Sequence, residues 1–485
     1  MLLPFLDVMQ CAEKYAGGSW LHMSLDRSFC IRMKSRTISK FESHFQLTHG
    51  KQNHQMQEKL VQDLEKLAEA SQRAVTNVIA SHEVKYPYQS FWVTNEVILE
   101  NADILLLKKL KKLHCIQSIQ VMDPPILNTS SSMKDMASDK GQMERQDEVK
   151  WNIKLLGAPE VWSKGYDGKG VLIGVISSGA KGNHDQLQGK YIYNEYGWYD
   201  ATEENTAFPS EGFYQRGQGT MRLGEALADG GYGVAPGAKY MACKACRGTT
   251  CPYQNYLKCV EYVMCPWNKL GEKNCSHTPR AVALGFNTYY SGFDNWDFET
   301  TITGMHSAGI LVVTEAVSWP HKPPQERCGA ITPACAHPKS LCTSYTNQTS
   351  RSPFAGCGPY KNETTIKPDV LVPGYDYYVP SICAYNHQTN CYEYNQGYTS
   401  GSGHILGVAA LLLERNPGLG PDDVKKLILE SCRDFDNTHP KSPHNCSGID
   451  DSVLPNYIKG HGFVNALRAW ELTPCTEVNS TALNT

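Results

Sequence analysis

The sequence predicts a doubly wound α/β fold with a mainly parallel sheet, preceded by a small α+β domain. Four short, nearly continuous apolar runs have the composition of strands that are covered on both faces: residues 171–176, 238–245, 280–286 and 309–316. Helical patterns separate these runs, and strand–helix alternation is typical of parallel sheets. The length of 485 residues allows one large domain with smaller units attached.

The region before the large domain divides into two parts. Residues 1–58 show no clear periodicity and stay unassigned. Residues 59–125 predict the small α+β domain. Leu60 and Leu64 give "EKLVQDLEKLAEASQRAVTNVI" helical spacing, "SFWVTNEVILE" predicts one strand, "NADILLLKKLKKL" predicts a helix that begins at Asn101, and "IQSIQVM" predicts a second strand.

A polar segment then separates the two domains. Residues 126–148 contain few large apolar side chains, which indicates an exposed linker. The large domain is predicted over residues 149–472, followed by a tail at 473–485. Within it, "FETTITGMHSAG" predicts a helix that stops at Gly309, and "PDDVKKLILESC" predicts a helix that begins at Pro421.

The composition of the chain indicates which classes of partner to expect and in which cellular compartment the protein lies. A net charge of −3 and a pI near 6.6 do not favour nucleic acid or an anionic membrane surface. No apolar run reaches the roughly 20 residues that a membrane span needs. Fifteen of the eighteen cysteines lie between Cys243 and Cys475. Together with six N-x-S/T sequons they predict a secreted, disulfide-bonded glycoprotein, with glycans at Asn128, Asn274, Asn347, Asn362, Asn445 and Asn479.

Two details qualify that prediction. The start, "MLLPFL", lacks a basic segment and a cleavage site, so no signal peptide is evident at the given N-terminus. Cys243 and Cys246 form a CxxC pair, which zinc sites also use, but no second pair follows at matching spacing. Disulfides are therefore the preferred interpretation, with connectivity left open, and no metal or other cofactor is expected.

Five segments in order resemble the subtilisin-like serine peptidases, the peptidase S8 family, and most closely its bacillopeptidase F-like branch. They are "WNIKLLGAPEVWSKGYDGKGVLIGVI", "GVAPGAKYMACKA", "ALGFN", "IKPDVLVPG" and "GHILGVAALLLERNPGL". The resemblance covers about residues 85–470 and implies a subtilisin-like fold. It also implies that residues 59–125 are similar to the family's inhibitory propeptide, which would make that domain a partner of the large one.

Catalysis in this family uses a serine nucleophile, a histidine base, an aspartate that orients the histidine, and an asparagine that stabilises the oxyanion. Matched motif by motif, this sequence carries other residues at these positions. "ISSGA" places Ser177 at the aspartate, "QGTMRLG" places Gln218 at the histidine, and "TEAVSW" places Ser318 at the asparagine. "GYTSGSGH" places Thr399 at the nucleophile, or Ser400 if the register shifts by one residue.

These substitutions predict a serine protease homologue without activity, a pseudoprotease, because an amide is not a base and an unactivated hydroxyl is a weak nucleophile. The resemblance also implies a substrate cleft at Gly285, Phe286 and Asn287, where a peptide or protein ligand could still pair with the backbone. An active endopeptidase with a divergent centre and a structural extracellular glycoprotein are the alternatives. His184 with Asp185, and His404, are interpreted as structural histidines.

Overall fold

The computed structural model describes the greater part of the chain in separate stretches. These are residues 28–48, 52–122, 148–192, 195–202, 206–211, 217–247, 250–285, 296–316, 328–329, 331–346, 357–359, 365–374, 379–382, 392–395, 401–434 and 453–475. None of the helices in these stretches is both long and apolar enough to cross a membrane.

The N-terminal unit is a four-stranded antiparallel sheet with helices. Its strands follow the order β2-β3-β1-β4. Asn53 caps the long helix α2 by accepting a hydrogen bond from the Met56 N–H at 3.1 Å. The elements are β1 (Ser28–Met33), α1 (Ile38–Thr48), α2 (His54–Ser81), β2 (Tyr88–Phe91), β3 (Glu96–Glu100), α3 (Ile104–Lys111) and β4 (Ile116–Met122).

The predicted start of this unit at residue 59 is wrong. Because β1 belongs to its sheet, the unit starts at residue 28 or earlier. Phe29 of β1 pairs with Leu99 of β3 on one side and with Val121 of β4 on the other. The strand is therefore central to the sheet, although the sequence analysis left its residues unassigned. Its partners lie about 70 and 90 residues away, and no local pattern reveals such a pairing.

Two further elements differ from the sequence analysis. The single strand predicted in "SFWVTNEVILE" is a hairpin, β2 and β3, whose turn ends at Asn95 with φ of 54°. Asparagine tolerates this left-handed conformation better than other non-glycine residues. Helix α3 begins after Asp103 rather than at Asn101, because the Asp103 carboxylate accepts a hydrogen bond from the Leu106 N–H at 2.7 Å.

The large domain is built on a parallel sheet, which confirms the predicted doubly wound α/β class. Seven described strands follow the order β11-β10-β9-β8-β5-β7-β6, and every pairing among them is parallel. The strands are β5 (Leu172–Ser177), β6 (Trp198–Asp200), β7 (Lys239–Lys244), β8 (Ala281–Leu284), β9 (Leu311–Glu315), β10 (Leu341–Thr346) and β11 (Val370–Pro373). A separate hairpin joins β12 (Val379–Ile382) and β13 (Tyr392–Asn395).

Side chains of these strands alternate between two apolar layers. Val175 of β5 lies in one layer, with the buried residues of the helices that follow β6 and β13, and Ile176 lies in the other. The helices are α4 (Trp151–Leu156), α5 (Ala158–Trp162), α6 (Gln218–Leu227), α7 (Tyr253–Met264), α8 (Phe298–Ser307), α9 (Pro333–Ala336), α10 (Ser402–Arg415), α11 (Pro421–Ser431) and α12 (Ala466–Leu472).

The second layer continues into the N-terminal unit. Phe41 of α1 is fully buried, and a methyl group built on Gly304 of α8 would lie 2.9 Å from the Phe41 ring. Phe45 stacks on His306 with ring centroids 4.8 Å apart. Leu60 belongs to the same buried cluster as residues of β7, β8 and β9. The two parts of the chain therefore share one hydrophobic core.

Polar contacts reinforce this shared core. Arg36 Nη2 donates to Asp297 Oδ2 at 2.7 Å, at the start of α8. Glu261 of α7 accepts hydrogen bonds from the backbone N–H groups of Trp92, at 2.6 Å, and Val93, at 3.1 Å. Burial raises the pKa of Glu261 to about 8, although these two donors favour its ionised form. The contact therefore places a desolvated carboxyl group between the two parts.

Four disulfides lie within the described residues. They join Cys243 to Cys259, Cys246 to Cys251, Cys265 to Cys275 and Cys335 to Cys342. The two cysteines of the CxxC motif are thus bonded to different partners: Cys243–Cys259 joins β7 to α7, and Cys246–Cys251 lies within the segment between them. The disulfide interpretation of this cluster is confirmed over the zinc interpretation.

Candidate functional site

Ser177, which the motif comparison predicts at the place of the family's aspartate, lies at the carboxyl end of β5, where ligands bind in open α/β sheets. Its side chain is fully buried, and Oγ lies 3.5 Å from the carbonyl oxygen of Gly285 at the end of β8. Gly285 is required at this point, because any larger side chain there would collide with Ser177 Oγ. The position therefore holds a neutral hydroxyl with one long contact.

Gln218 is the first residue of α6, and it lies beside the segment that leaves β5. Gly219, the next residue, approaches the Gly179 carbonyl so closely that a side chain there would collide with it. The Gln218 Oε1 atom is buried and accepts no hydrogen bond from the described residues. The end of β5, with Ser177, and the start of α6, with Gln218, thus lie at the same edge of the sheet.

The other predicted site residues lie outside the described residues. These are Thr399, Ser400, Ser318, Phe286 and Asn287, together with the sequons at Asn128, Asn347, Asn362, Asn445 and Asn479. Asn274 is described: it is partly exposed, and its Oδ1 accepts hydrogen bonds from the Ser276 N–H at 3.0 Å and the Ser276 hydroxyl at 2.6 Å.

A buried ion pair joins the elements that meet at this edge. Arg222, one turn into α6, donates Nη2 to Glu315 Oε2 at 2.7 Å and Nε to Glu315 Oε1 at 3.1 Å. Both side chains are almost completely buried. Ser402, the first residue of α10, donates its hydroxyl to Glu315 Oε1 at 2.5 Å and lies 3.2 Å from Arg222 Nε. We call these three residues the buried network.

The buried network ties three pieces of secondary structure together. Arg222 also donates Nη1 to the carbonyl oxygen of Gln218 at 3.1 Å, so the guanidinium lies one helical turn from Gln218. Glu315 ends β9, and Ser402 begins the helix that follows Thr399 and Ser400 in the sequence. The network therefore fixes the starts of α6 and α10 against the end of β9.

His404 lies in a second set of buried polar side chains. His404 Nε2 lies 2.9 Å from the Asn152 side-chain nitrogen, and Nδ1 lies 3.8 Å from Glu225 Oε2, which is too far for a hydrogen bond. Burial lowers the pKa of His404 to about 3, so the imidazole is neutral at physiological pH. His404 packs between helices α4, α6 and α10 in a structural position.

His184 makes local contacts in the loop after β5. The Gln186 backbone N–H donates to His184 Nδ1 at 3.1 Å, and the Asp185 carboxylate lies 3.0 Å from the same atom. The side chain is completely buried. These local contacts hold the loop after β5.

Sequence analysis missed the buried network. Its only signal was the presence of charged residues where the surrounding pattern is apolar or small: Arg222 in "QGTMRLGEAL" and Glu315 at the end of "LVVTE". Charged residues are almost never fully buried unless they are paired. The described residues contain no cluster of three or more histidine, cysteine, aspartate or glutamate side chains that could hold a metal ion.

Known proteins resemble this chain in sequence and in fold. Bacillopeptidase F of Bacillus subtilis (strain 168) is 27% identical over 444 residues, which cover 87% of this chain and 29% of that protein. Fervidolysin of Fervidobacterium pennivorans is 25% identical over 311 residues, which cover 62% of this chain and 43% of that protein. The chain thus spans less than half the length of either relative.

The crystal structure of fervidolysin, described as a keratinolytic enzyme related to subtilisin, shares the fold. The two structures align with a TM-score of 0.54 and 15% sequence identity, over 94% of this chain and 63% of that one. The sequence model of the subtilase family matches residues 168–448, more than half of the chain. With the parallel sheet and the ordered motifs, this match shows that the chain belongs to the subtilase family, peptidase S8.

Proposed function

We propose that the protein is a secreted pseudoprotease that binds a peptide or protein in the former substrate cleft without cleaving it. The observation that carries the proposal is Gln218 at the start of α6, where the family has its histidine. An amide does not accept a proton near neutral pH, and Ser177 supplies no carboxylate to orient or charge-stabilise an imidazole. Neither Ser177 nor Gln218 would activate a hydroxyl at position 399 or 400.

The cleft supports binding because its framework does not depend on the triad. Gly285 packs against Ser177 at the end of β8, and this edge of the sheet is where the family's cleft is expected. Peptides commonly bind to sheets through backbone hydrogen bonds, which need no catalytic group. Bacillopeptidase F is a peptidase by name, and fervidolysin is described as a keratinolytic enzyme; their likeness supports a peptide as the class of ligand.

We expect no reaction with a fluorophosphonate probe, because such probes report an activated serine or threonine. An active subtilase labelled in parallel is the positive control, and Thr399→Ala with Ser400→Ala is the matched variant. Labelling that disappears in this variant would establish the active-enzyme alternative.

Binding of extended peptides from a random library, measured without cleavage, supports the cleft proposal, whereas its absence favours the structural glycoprotein.

The N-terminal unit should remain covalently attached, because self-cleavage requires the missing catalytic groups. We also propose that the sequons carry N-linked glycans; at Asn274 the side-chain nitrogen makes no hydrogen bond to the described residues. Intact-mass measurement of the protein secreted from eukaryotic cells tests both points. The expected mass after glycosidase treatment includes residues 28–122, and treatment lowers the mass. Spontaneous loss of those residues from pure protein would contradict inactivity.

A further inference from the structure

A buried lysine lies at the amino ends of β10 and β11, on the opposite edge of the sheet from Ser177. Lys367 is 1% exposed, and its Nζ donates to Asp369 Oδ2 at 2.7 Å. The same Nζ donates to the carbonyl oxygens of His337 and Ser340, each at 3.1 Å. An ammonium group has three N–H donors and no acceptor. These three oxygen atoms therefore match the three donors of the Lys367 side chain.

A second lysine, Lys425 of α11, reaches the same group of oxygens, and its side chain is 14% exposed. Its Nζ donates to the carbonyl oxygens of Pro338 and Ser340, each at 2.7 Å, and lies 3.4 Å from Asp369 Oδ1. Burial alone would raise the pKa of Asp369, but the two ammonium groups and the Cys342 N–H lower it below its usual value. Asp369 is therefore an ionised carboxylate between two cations.

The carbonyl oxygens belong to a turn that other contacts also hold in place. Residues 337–340 connect α9 to β10, and the disulfide between Cys335 and Cys342 joins these two elements across the turn. The Ser340 hydroxyl donates to the carbonyl oxygen of Ala334, in α9, at 2.7 Å. The turn thus presents three carbonyl oxygens in one place, beside a carboxylate.

Oxygen atoms in this arrangement are the ligands of a hard cation. Main-chain carbonyl and carboxylate oxygens bind calcium in proteins, and carbonyl oxygens alone hold potassium in channel filters. Among the described residues, two ammonium groups here face one carboxylate, so the carbonyl dipoles have to balance the second positive charge. A buried ammonium group without such partners would destabilise the fold. The surroundings are therefore those of a cation site with lysine side chains in it.

We propose that these oxygens form a cation site that the chain fills with its own ammonium groups, those of Lys367 and Lys425, in place of a free ion. Because both groups are bonded to the chain, the site stays filled whatever salts surround the protein. Lys367 joins the turn before β10 to the start of β11, and Lys425 adds α11 to the same point. When one lysine is shortened, a free monovalent cation should take its place, since that ion restores the charge.

Lys367→Met tests the proposal on the full chain, because methionine ends one atom short of the ammonium group. In tetramethylammonium chloride, whose cation is large and donates no N–H hydrogen bond, the thermal midpoint of unfolding should fall by at least about 3 °C. Ammonium or potassium chloride at the same concentration should recover at least half of this loss, with the concentration dependence of binding at one site. The native protein should respond equally to the three salts.

Lys426→Met is the matched control, because Lys426 is the neighbour of Lys425 on α11 but its side chain is 72% exposed. This variant should change neither the midpoint nor the response to salts. Lys425→Met is the second variant, and it should show a smaller loss with the same preference for ammonium. The proposal is wrong if ammonium stabilises no variant more than tetramethylammonium does, or if Lys367→Met keeps the native midpoint in tetramethylammonium.

Discussion

Glu315→Ala should lower the free energy of unfolding by about 3–5 kcal/mol, the usual cost of breaking a buried ion pair from one side. The variant leaves the Arg222 guanidinium buried without its bidentate partner, and it removes the acceptor of the Ser402 hydroxyl. Arg222→Ala should cost a similar amount, because it leaves the Glu315 carboxylate unpaired. Chemical denaturation followed by fluorescence and circular dichroism measures both changes.

The matched variant replaces the whole buried network with apolar residues: Arg222→Met, Glu315→Leu and Ser402→Ala together. Because no charge then remains buried, we expect its stability to recover most of the loss, and such replacements are often neutral or stabilising by about 1–4 kcal/mol. Strong non-additivity between the single and combined variants is the signature of coupling. If the losses simply add, the three residues do not act as one network.

Phe41→Ala should lower the free energy of unfolding by about 3–5 kcal/mol, as is typical for emptying a buried aromatic site. The reason is that Phe41 fills space against Gly304 inside the core that the two parts of the chain share. Leu47→Ala on the same helix is the control. Its side chain is 69% exposed, so its expected effect is below about 0.5 kcal/mol.

The same variants test whether the N-terminal unit is a permanent part of the fold. A protease site engineered into residues 128–147 allows the chain to be cut between the two parts. The cut protein with native Phe41 or Leu47→Ala should elute as one species in size-exclusion chromatography, whereas cut Phe41→Ala should release the N-terminal unit. Two separate unfolding transitions in the uncut native protein would contradict a shared core.

The buried network has a structural role whatever the activity of the protein. Arg222, Glu315 and Ser402 make short contacts with one another, and Arg222 also binds the Gln218 carbonyl oxygen. A buried charge has to be paired, since each member alone would destabilise the fold. The network therefore holds this edge of the sheet in place.

Local patterns in the sequence determined much of the fold. The apolar runs of β5, β7, β8 and β9 identified a parallel sheet, since strands covered on both faces need apolar side chains at nearly every position. The boundaries of β4 followed from its pattern, and the start of α11 followed from Pro421. The ordered motifs, which include those around Ser177 and Gln218, identified the family.

Only the tertiary structure decided the rest, because it depends on partners far apart in the chain. Strand β1 is recognisable by its ladders to β3 and β4, and Asn95 becomes a turn residue once β2 and β3 fold back on each other. The polar contacts of the candidate site likewise depend on residues that lie far apart in the sequence. The sequence showed that Gln218 cannot act as a base, but 93 residues separate Arg222 from Glu315, and another 87 separate Glu315 from Ser402. A buried charge is explained only by the partner that the fold brings to it.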